Sequence, residues 1–192
     1  YNGSSGFASE FGHMTMDPEG ELCRCGNRGC WETQVSQAAL FRRVKHHLSA
    51  GAASVLTEMV QRDMDNLTVD IVVSAARTGD PVALSALEHV GRCLGIGIAS
   101  LVNALNPSLV VFGGILSLAS DYLIPRATEE LHHRALHWNE ETARIAIARF
   151  GSEASVMGGV AKIFQTVLSN PSRRAKPQTI TSPRMSQGTR NS

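Results

Sequence analysis

The segment Cys23-Arg24-Cys25-Gly26-Asn27-Arg28-Gly29-Cys30 places three thiols close together, and His13 precedes it in the chain. Three thiolates and one imidazole complete the four-coordinate tetrahedral shell of a structural Zn²⁺ site. Gly26 and Gly29 permit the tight turns that bring these sulfurs to one point. We therefore predict a zinc ion held by His13, Cys23, Cys25 and Cys30. The alternative interpretation is a set of free, buried cysteines.

A closed shell of four protein ligands leaves no position for water, so the predicted zinc is structural rather than catalytic. The surrounding residues 1–30 contain six glycines and one proline, which predicts a loop whose order comes from the metal. Clustered cysteines, with Cys93 alone elsewhere, are typical of a reducing compartment, so we expect a cytoplasmic protein. The chain starts at Tyr1 without a signal-peptide pattern, and we expect an upstream part to precede it.

The composition fits an ordinary folded domain. The 192 residues are 43% hydrophobic with a mean hydropathy of −0.06, and we expect no membrane segment. Residues 170–192 hold five basic and no acidic side chains, which predicts a disordered basic tail after a lobe covering 1–169. Without that tail the net charge is −4, which does not favour binding nucleic acid through phosphate contacts.

The strongest helical signal begins at Asp80-Pro81, an N-cap followed by a proline in the first turn. Pro107 ends the predicted helix. Gly91, Gly95 and Gly97 are costly inside a helix, so we expect them to allow close approach of a neighbouring element. One apolar face recurs at spacings of three and four, formed by Leu84, Leu87, Gly91, Leu94, Ile98, Leu101 and Leu105.

The remaining pattern alternates between helices and strands. Further helices are predicted over 31–50, within 54–79, over 120–136 and over 153–168. Two strands are predicted, a buried one over 109–112 that closes on Gly113 and Gly114, and a second over 143–150. This order indicates an α/β fold.

Several motifs together resemble the signature of one known family. Gly6-Phe-Ala-Ser-Glu10-Phe-Gly-His13, followed by Cys23-x-Cys25-Gly26-x-x-Gly29-Cys30-x-Glu32, is similar to the ROK family signature. That family groups bacterial sugar-responsive transcriptional repressors with ATP-dependent sugar kinases. The resemblance continues in Leu101–Pro107, Val110–Gly114 and Ala154–Gly159, and it covers about residues 3–168.

The resemblance implies an actin/hexokinase-like (ribonuclease H-like) fold of two α/β lobes around a cleft. This chain would supply most of the second lobe, a mixed sheet flanked by helices, with a zinc-binding loop over 13–30. It also implies that Glu10, His13 and Glu32 hydrogen-bond sugar hydroxyls. This is chemically sensible, because carboxylates accept hydrogen bonds from hydroxyls. Taken without the resemblance, Glu10 and Glu32 would be ordinary solvated carboxylates.

Two positions depart from the family pattern. Ser9 occupies a position where the family usually has glycine, which alters the backbone conformation open to the loop. Ile115 occupies a position where the kinases usually have a third glycine after Gly113 and Gly114. In the kinases that turn lies against the nucleotide, so a β-branched side chain there is expected to crowd ATP.

These observations favour the sugar-binding effector domain of a ROK transcriptional regulator. In such a protein an upstream helix-turn-helix would bind DNA, and the protein would form a homodimer. The alternative is the second lobe of an ATP-dependent hexose or N-acetylhexosamine kinase, with Gly113 and Gly114 against ATP. We assign no catalytic residue in this chain, and an enzyme is the less favoured interpretation. A third possibility is a zinc-stabilised domain that no longer binds a ligand.

Overall fold

The computed structural model describes residues 3, 4, 6, 8–137 and 143–169. The chain forms two compact units, Tyr1–Met157 and Gly158–Ser192. The predicted disordered tail over 170–192 lies outside the described residues. The domain boundary expected at residue 169 therefore stays a prediction.

The first unit is mostly helical in its described part. Its α-helices are α1 (Glu32–Val35), α2 (Gln37–Ser49), α3 (Leu56–Met59), α4 (Val69–Arg77), α5 (Pro81–Leu105) and α6 (Ser120–Arg134). Short 3-10 helices cover Phe11–His13, Met64–Asn66, Ile115–Ala119 and Gly151–Glu153, and the strands are β1 (Leu109–Phe112) and β2 (Arg144–Ile147). The last helix, α7 (Ala154–Ser169), spans the boundary between the units.

The helix predicted over 31–50 is two helices. Ser36 has extended backbone (ψ 165°), and its Oγ accepts a hydrogen bond of 3.2 Å from the backbone N–H of Ala39. Serine competes with helical hydrogen bonding in this way and favours helix starts. The single-helix prediction was therefore wrong at Ser36, and Glu32 lies on a short helix of its own.

The start of α5 is as predicted. Asp80 is buried and accepts two backbone hydrogen bonds, from Ala83 N–H to Oδ1 (2.9 Å) and from Val55 N–H to Oδ2 (2.8 Å). One carboxylate therefore caps α5 and also fixes the chain before α3. The helix ends at Asn106, which adopts left-handed backbone with φ 46°.

The predicted apolar face of α5 needs correction at its ends. Leu84 and Leu105 are exposed, whereas residues outside the predicted face are buried, namely Val82, Ala83, Ala86, Val90 and Val102. By length and composition α5 would suffice to cross a membrane, contrary to the expectation from mean hydropathy, but 61% of its most apolar window is buried inside the protein. More than one face of α5 is buried, because neighbouring elements pack on several sides of the helix.

The glycines of α5 allow the close approach that the sequence predicts. A Cβ on Gly95 would lie 2.7 Å from Ala127 Cα on α6, and one on Gly91 would lie 3.1 Å from Leu123 O. A Cβ on Gly97 would lie only 2.0 Å from Cε2 of the Trp31 indole. Helix α5 therefore contacts α6 along one side and Trp31, the residue after Cys30, along another.

Strands β1 and β2 are parallel, with Leu109 opposite Arg144 and Phe112 opposite Ile147. They confirm the predicted α/β order, but the prediction of a buried strand over 109–112 was wrong, since none of the four residues of β1 is buried. Val111 is 60% exposed, because one face of this two-stranded sheet is uncovered in the described part of the chain. No antiparallel strand joins the pair within that part, so the mixed sheet stays a prediction.

Glu130 on α6 is buried beneath three arginines. It accepts a hydrogen bond from Arg134 Nε (2.6 Å) and pairs with Arg126 Nη2 (3.2 Å) and Arg92 Nε (3.4 Å). The hydrogen bond from Arg134, reinforced by the arginine charges, lowers the pKa of Glu130 below its usual value of 4.5. The charged carboxylate therefore stabilises the fold.

We expect Glu130→Gln to lower the free energy of unfolding by about 1–3 kcal/mol at pH 7, because charge-assisted hydrogen bonds are lost. The pKa of Glu130 is lower in the folded chain, so its contribution is complete above pH 4.5 and declines as the pH falls below that value. Urea unfolding at pH 7 and pH 3 measures both effects, and the difference between the variant and the parent shrinks at pH 3.

The matched control is Glu58→Gln, an exposed carboxylate on α3, away from the arginines that surround Glu130. We expect a change within about 0.5 kcal/mol for this surface position. An equal loss in the two variants, or a loss for Glu130→Gln that does not depend on pH, would contradict the assignment.

Candidate metal and ligand site

The four predicted metal ligands meet at one point. The donor atoms of His13, Cys23, Cys25 and Cys30 all lie within 4.8 Å of one another. His13 Nδ1 is 3.6 Å from Cys23 Sγ, and Cys25 Sγ is 3.6 Å from Cys30 Sγ. With Zn–S bonds of about 2.3 Å, neighbouring sulfurs in a tetrahedral shell lie about 3.8 Å apart. The spacing therefore fits a shared metal ion, and a sulfur-rich donor set suits zinc better than magnesium or calcium.

Backbone hydrogen bonds form the turn that aligns the sulfurs. Cys23 N–H donates to Asn27 O (2.7 Å), and Gly26 N–H donates to Cys23 O (2.9 Å). Gly26 has φ 91°, as expected for a glycine turn. Two antiparallel bridges, Thr15 with Cys30 and Leu22 with Arg28, hold the turn against the preceding chain.

Gly29 is required by a close backbone approach. A Cβ at this position would lie 1.5 Å from the carbonyl oxygen of Asp17, so no other residue fits there. Its φ is 60°, and its N–H donates to Glu21 O (2.8 Å). The sequence correctly predicts that this glycine serves the turn, but it does not identify Asp17 as the neighbour.

The sulfurs differ in their surroundings. Cys23 and Cys30 are buried, whereas Cys25 is exposed. The backbone N–H of Asn27 lowers the pKa of the Cys25 thiol, while burial raises the pKa of the Cys30 thiol to about 12. The cluster thus has one accessible sulfur and a protected interior.

Glu32 lies beside the turn that carries His13. The Cβ of Glu32 is 3.7 Å from the position that a Cβ on Gly12 would take. Its Oε1 accepts a hydrogen bond of 3.1 Å from Arg24 Nη2, and the two side chains are 37% and 93% exposed. The sequence does not predict this ion pair, because the position of Arg24 between two cysteines does not indicate the direction of its side chain.

Glu10 is exposed at the start of the 3-10 helix Phe11–His13, and its backbone oxygen accepts from His13 N–H (3.1 Å). The residue before it, Ser9, has φ 73°, which is left-handed backbone that favours glycine. The family's usual glycine at this position therefore has a structural reason. Ser9 retains the conformation at an energetic cost.

Trp31 joins the loop to the core. Its backbone N–H donates to Met14 O (2.8 Å), and its indole Nε1 donates to Cys93 O (2.9 Å). The ring is nearly buried against Gly97. The sequence favours packing of Trp31 against the metal loop over stacking on a sugar; the structure shows packing, but on α5.

Gly113 and Gly114, the predicted nucleotide contacts, lie at the carboxyl end of β1. A Cβ on Gly113 would lie 3.1 Å from Ala148 Cβ, and Gly114 N–H donates to Gly151 O (3.1 Å). Gly114 has φ 81° and leads into the 3-10 helix Ile115–Ala119, whose first residue is 42% exposed. These contacts explain both glycines as packing and turn residues, and a nucleotide role stays a prediction.

Comparison with known proteins identifies one family. The ROK family model matches residues 1–166. A putative xylose repressor from Caldicellulosiruptor sp. strain Rt8B.4 is 33% identical over 89% of this chain, and a glucokinase from Halalkalibacterium halodurans is 38% identical over 82%. The chain spans less than half of either relative, 42% and 48% of their lengths.

Solved structures give the same two groups. A ROK family transcriptional regulator, a homologue of the E. coli protein MLC, superposes with a TM-score of 0.74 and 31% identity, covering 87% of this chain and 41% of that one. A ROK family glucokinase from Streptomyces griseus, solved with glucose and AMPPNP, gives 0.75 and 32%, covering 86% and 54%. The fold is therefore that of the actin/hexokinase-like ROK proteins.

We expect Ser9→Gly to stabilise the chain by about 1 kcal/mol, because glycine adopts positive φ without steric strain. Urea unfolding of the variant measures this gain. Ser152→Gly, on a 3-10 turn outside the loop, is the control and is expected to be neutral or destabilising. A loss of stability in Ser9→Gly would show that the serine is not strained.

Proposed function

Because the chain belongs to the ROK family, we propose that it is the sugar-binding lobe of a transcriptional regulator, in which zinc orders the loop that contacts the sugar. The observation that carries this proposal is the convergence of His13 with three sulfurs, next to Glu32. A related structure with glucose bound supports a sugar as the ligand. DNA binding would belong to an upstream region, as in the regulators.

Zinc would be held by His13 Nδ1 and the sulfurs of Cys23, Cys25 and Cys30. When bound, it supplies the folding energy that a glycine-rich loop lacks. Nδ1 is the nitrogen that faces Cys23. With that nitrogen occupied, Nε2 keeps its hydrogen and donates to a sugar oxygen.

The carboxylates of Glu10 and Glu32 would accept hydrogen bonds from sugar hydroxyls. Glu32 forms a 3.1 Å ion pair with Arg24 in the absence of a ligand. Since the Arg24 side chain is 93% exposed, this pair contributes less than about 1 kcal/mol, and a ligand can replace it at little cost. A sugar hydroxyl would thus take the place of the Arg24 guanidinium on this carboxylate.

Ile115 favours the regulator over the kinase. Its exposed, β-branched side chain directly follows Gly114, where the kinase pattern has glycine. Sugar binding would then shift the balance between two arrangements of the protein instead of leading to phosphoryl transfer. The kinase is the second candidate, favoured by the match to a glucokinase solved with AMPPNP.

The zinc assignment predicts one zinc per chain, measured by plasma mass spectrometry on protein purified without added metal. Cys23→Ser is expected to lose the metal, because Cys23 is buried and its Sγ lies against His13. Cys93→Ser is the matched control and keeps one equivalent, since Cys93 is not in the cluster. Equal zinc in both variants, or none in the parent, would reject this assignment.

Sugar binding is tested by calorimetric titration of the complete polypeptide with glucose and xylose. We expect saturable binding that weakens at least tenfold, about 1.4 kcal/mol, in Glu32→Gln. Glu58→Gln, an exposed carboxylate on α3, should bind as the parent does. An unchanged affinity in Glu32→Gln would remove Glu32 from the site.

Incubation of the same polypeptide with the bound sugar and ATP separates regulator from kinase. The regulator predicts no steady-state release of ADP above the sugar-free control. Sustained, sugar-dependent turnover would establish the kinase. Failure to bind any sugar of a broad hexose, pentose and N-acetylhexosamine panel would contradict both candidates.

A further inference from the structure

A second concave surface lies between the metal loop and α2. A depression of about 260 Å³ is lined by Glu21, Arg42, Arg43, His46 and His47, and we call it the basic depression. An adjoining groove of about 470 Å³ shares Glu21 and both arginines with it. Glu10, His13 and Glu32 line neither concavity. The surface is therefore separate from the proposed sugar contacts.

Arg43 is the unusual residue of this surface. Its Nε is buried and has no hydrogen-bond partner, and its guanidinium forms no ion pair among the described residues. By contrast, Arg42 donates to Thr33 O (2.5 Å) and lies 3.8 Å from Glu21. The Arg43 side chain as a whole is half-buried and lines both concavities, so its Nη nitrogens are the donors that an acceptor in the depression can reach. A donor left without an acceptor is costly where water is partly excluded, which favours a bound acceptor at this position.

The electrostatic surroundings point to an anion as that acceptor. Burial lowers the pKa of Arg43; the nearby Cys93 opposes this shift, and the repulsion of Arg42 adds a smaller decrease. A bound anion would relieve this repulsion. His46 and His47 line the same depression and offer further N–H donors. A guanidinium fork binds phosphate oxygens in pairs, so phosphate is the anion that this geometry suits best.

The acidic residues restrict where an anion can sit. Asp17, Glu19 and Glu21 line the wider groove, together with Arg28 and His89. Arg28 donates to Gly20 O (3.4 Å), and burial lowers the pKa of His89, so away from the two arginines of α2 the three carboxylates outnumber the cations of this groove. Only Glu21 also reaches the basic depression, where it lies near Arg42. An anion is therefore favoured at the end beside Arg43.

We propose that the basic depression binds the phosphate group of a small molecule through Arg43, with Arg42, His46 and His47 around it. Glu21 belongs to the same chain segment as the metal-binding cysteines, so this segment forms one wall of the site. Free phosphate and a phosphate monoester share this chemistry. Binding at this position does not require sugar in the other site.

The test is a titration of the full chain, labelled with ¹⁵N, with inorganic phosphate and separately with glycerol 3-phosphate, at constant ionic strength. We expect saturable binding with a shift of the Arg43 Nε–H resonance, and at least tenfold weaker binding in Arg43→Gln. Tighter binding of glycerol 3-phosphate would identify the ligand as a monoester, and tighter binding of phosphate would identify the free ion. Both results support the site.

The matched control is Arg77→Gln, which removes the same charge from the exposed end of α4 and should leave phosphate binding unchanged. If Arg43→Gln does not fold, Arg43→Lys keeps the charge without the fork and is expected to bind severalfold more weakly than the parent. Equal binding in the parent and the Arg43 variant, or no saturable binding, overturns the proposal. Sedimentation that changes with Arg43→Gln but not with phosphate overturns it in favour of a contact between chains. Sugar is absent throughout, so failure here leaves the proposed function unaffected.

Discussion

Four donor atoms, one imidazole nitrogen and three sulfurs, converge within 4.8 Å in a glycine-rich loop. Gly26 and Gly29 make the convergence possible but lower the loop's intrinsic order. The metal ion that we propose would offset that loss, because ligand bonds would replace the packing that glycines cannot provide. The positions of His13 and Glu32 follow from this convergence.

The loop is also joined to the core through Trp31. Trp31 directly follows Cys30, donates its indole N–H to Cys93 O and lies on Gly97 of α5. Helix α5 is in turn held by Asp80 at its start and by close glycine contacts with α6. Trp31 therefore connects the packed core to the four converging donor residues and to Glu32 beside them.

Local chemistry made part of this predictable. Cysteine spacing identified four residues whose donor atoms converge, and the Asp80-Pro81 cap located the start of α5, because both signals depend on neighbouring residues. The break at Ser36, the Arg24–Glu32 pair and the unpartnered Arg43 were not predictable, since each depends on which elements meet in three dimensions. The cytoplasmic location, the homodimer and the nucleotide contacts stay predictions.

The account depends on the metal presenting His13 and Glu32 to a sugar. The most direct measurement compares sugar affinity in three preparations of one protein sample: as purified, stripped with a chelator, and reloaded with one equivalent of zinc. The account predicts that stripping abolishes binding and that reloading restores it, while circular dichroism shows the helices retained. Equal affinity in all three preparations, with metal loss verified, would contradict it.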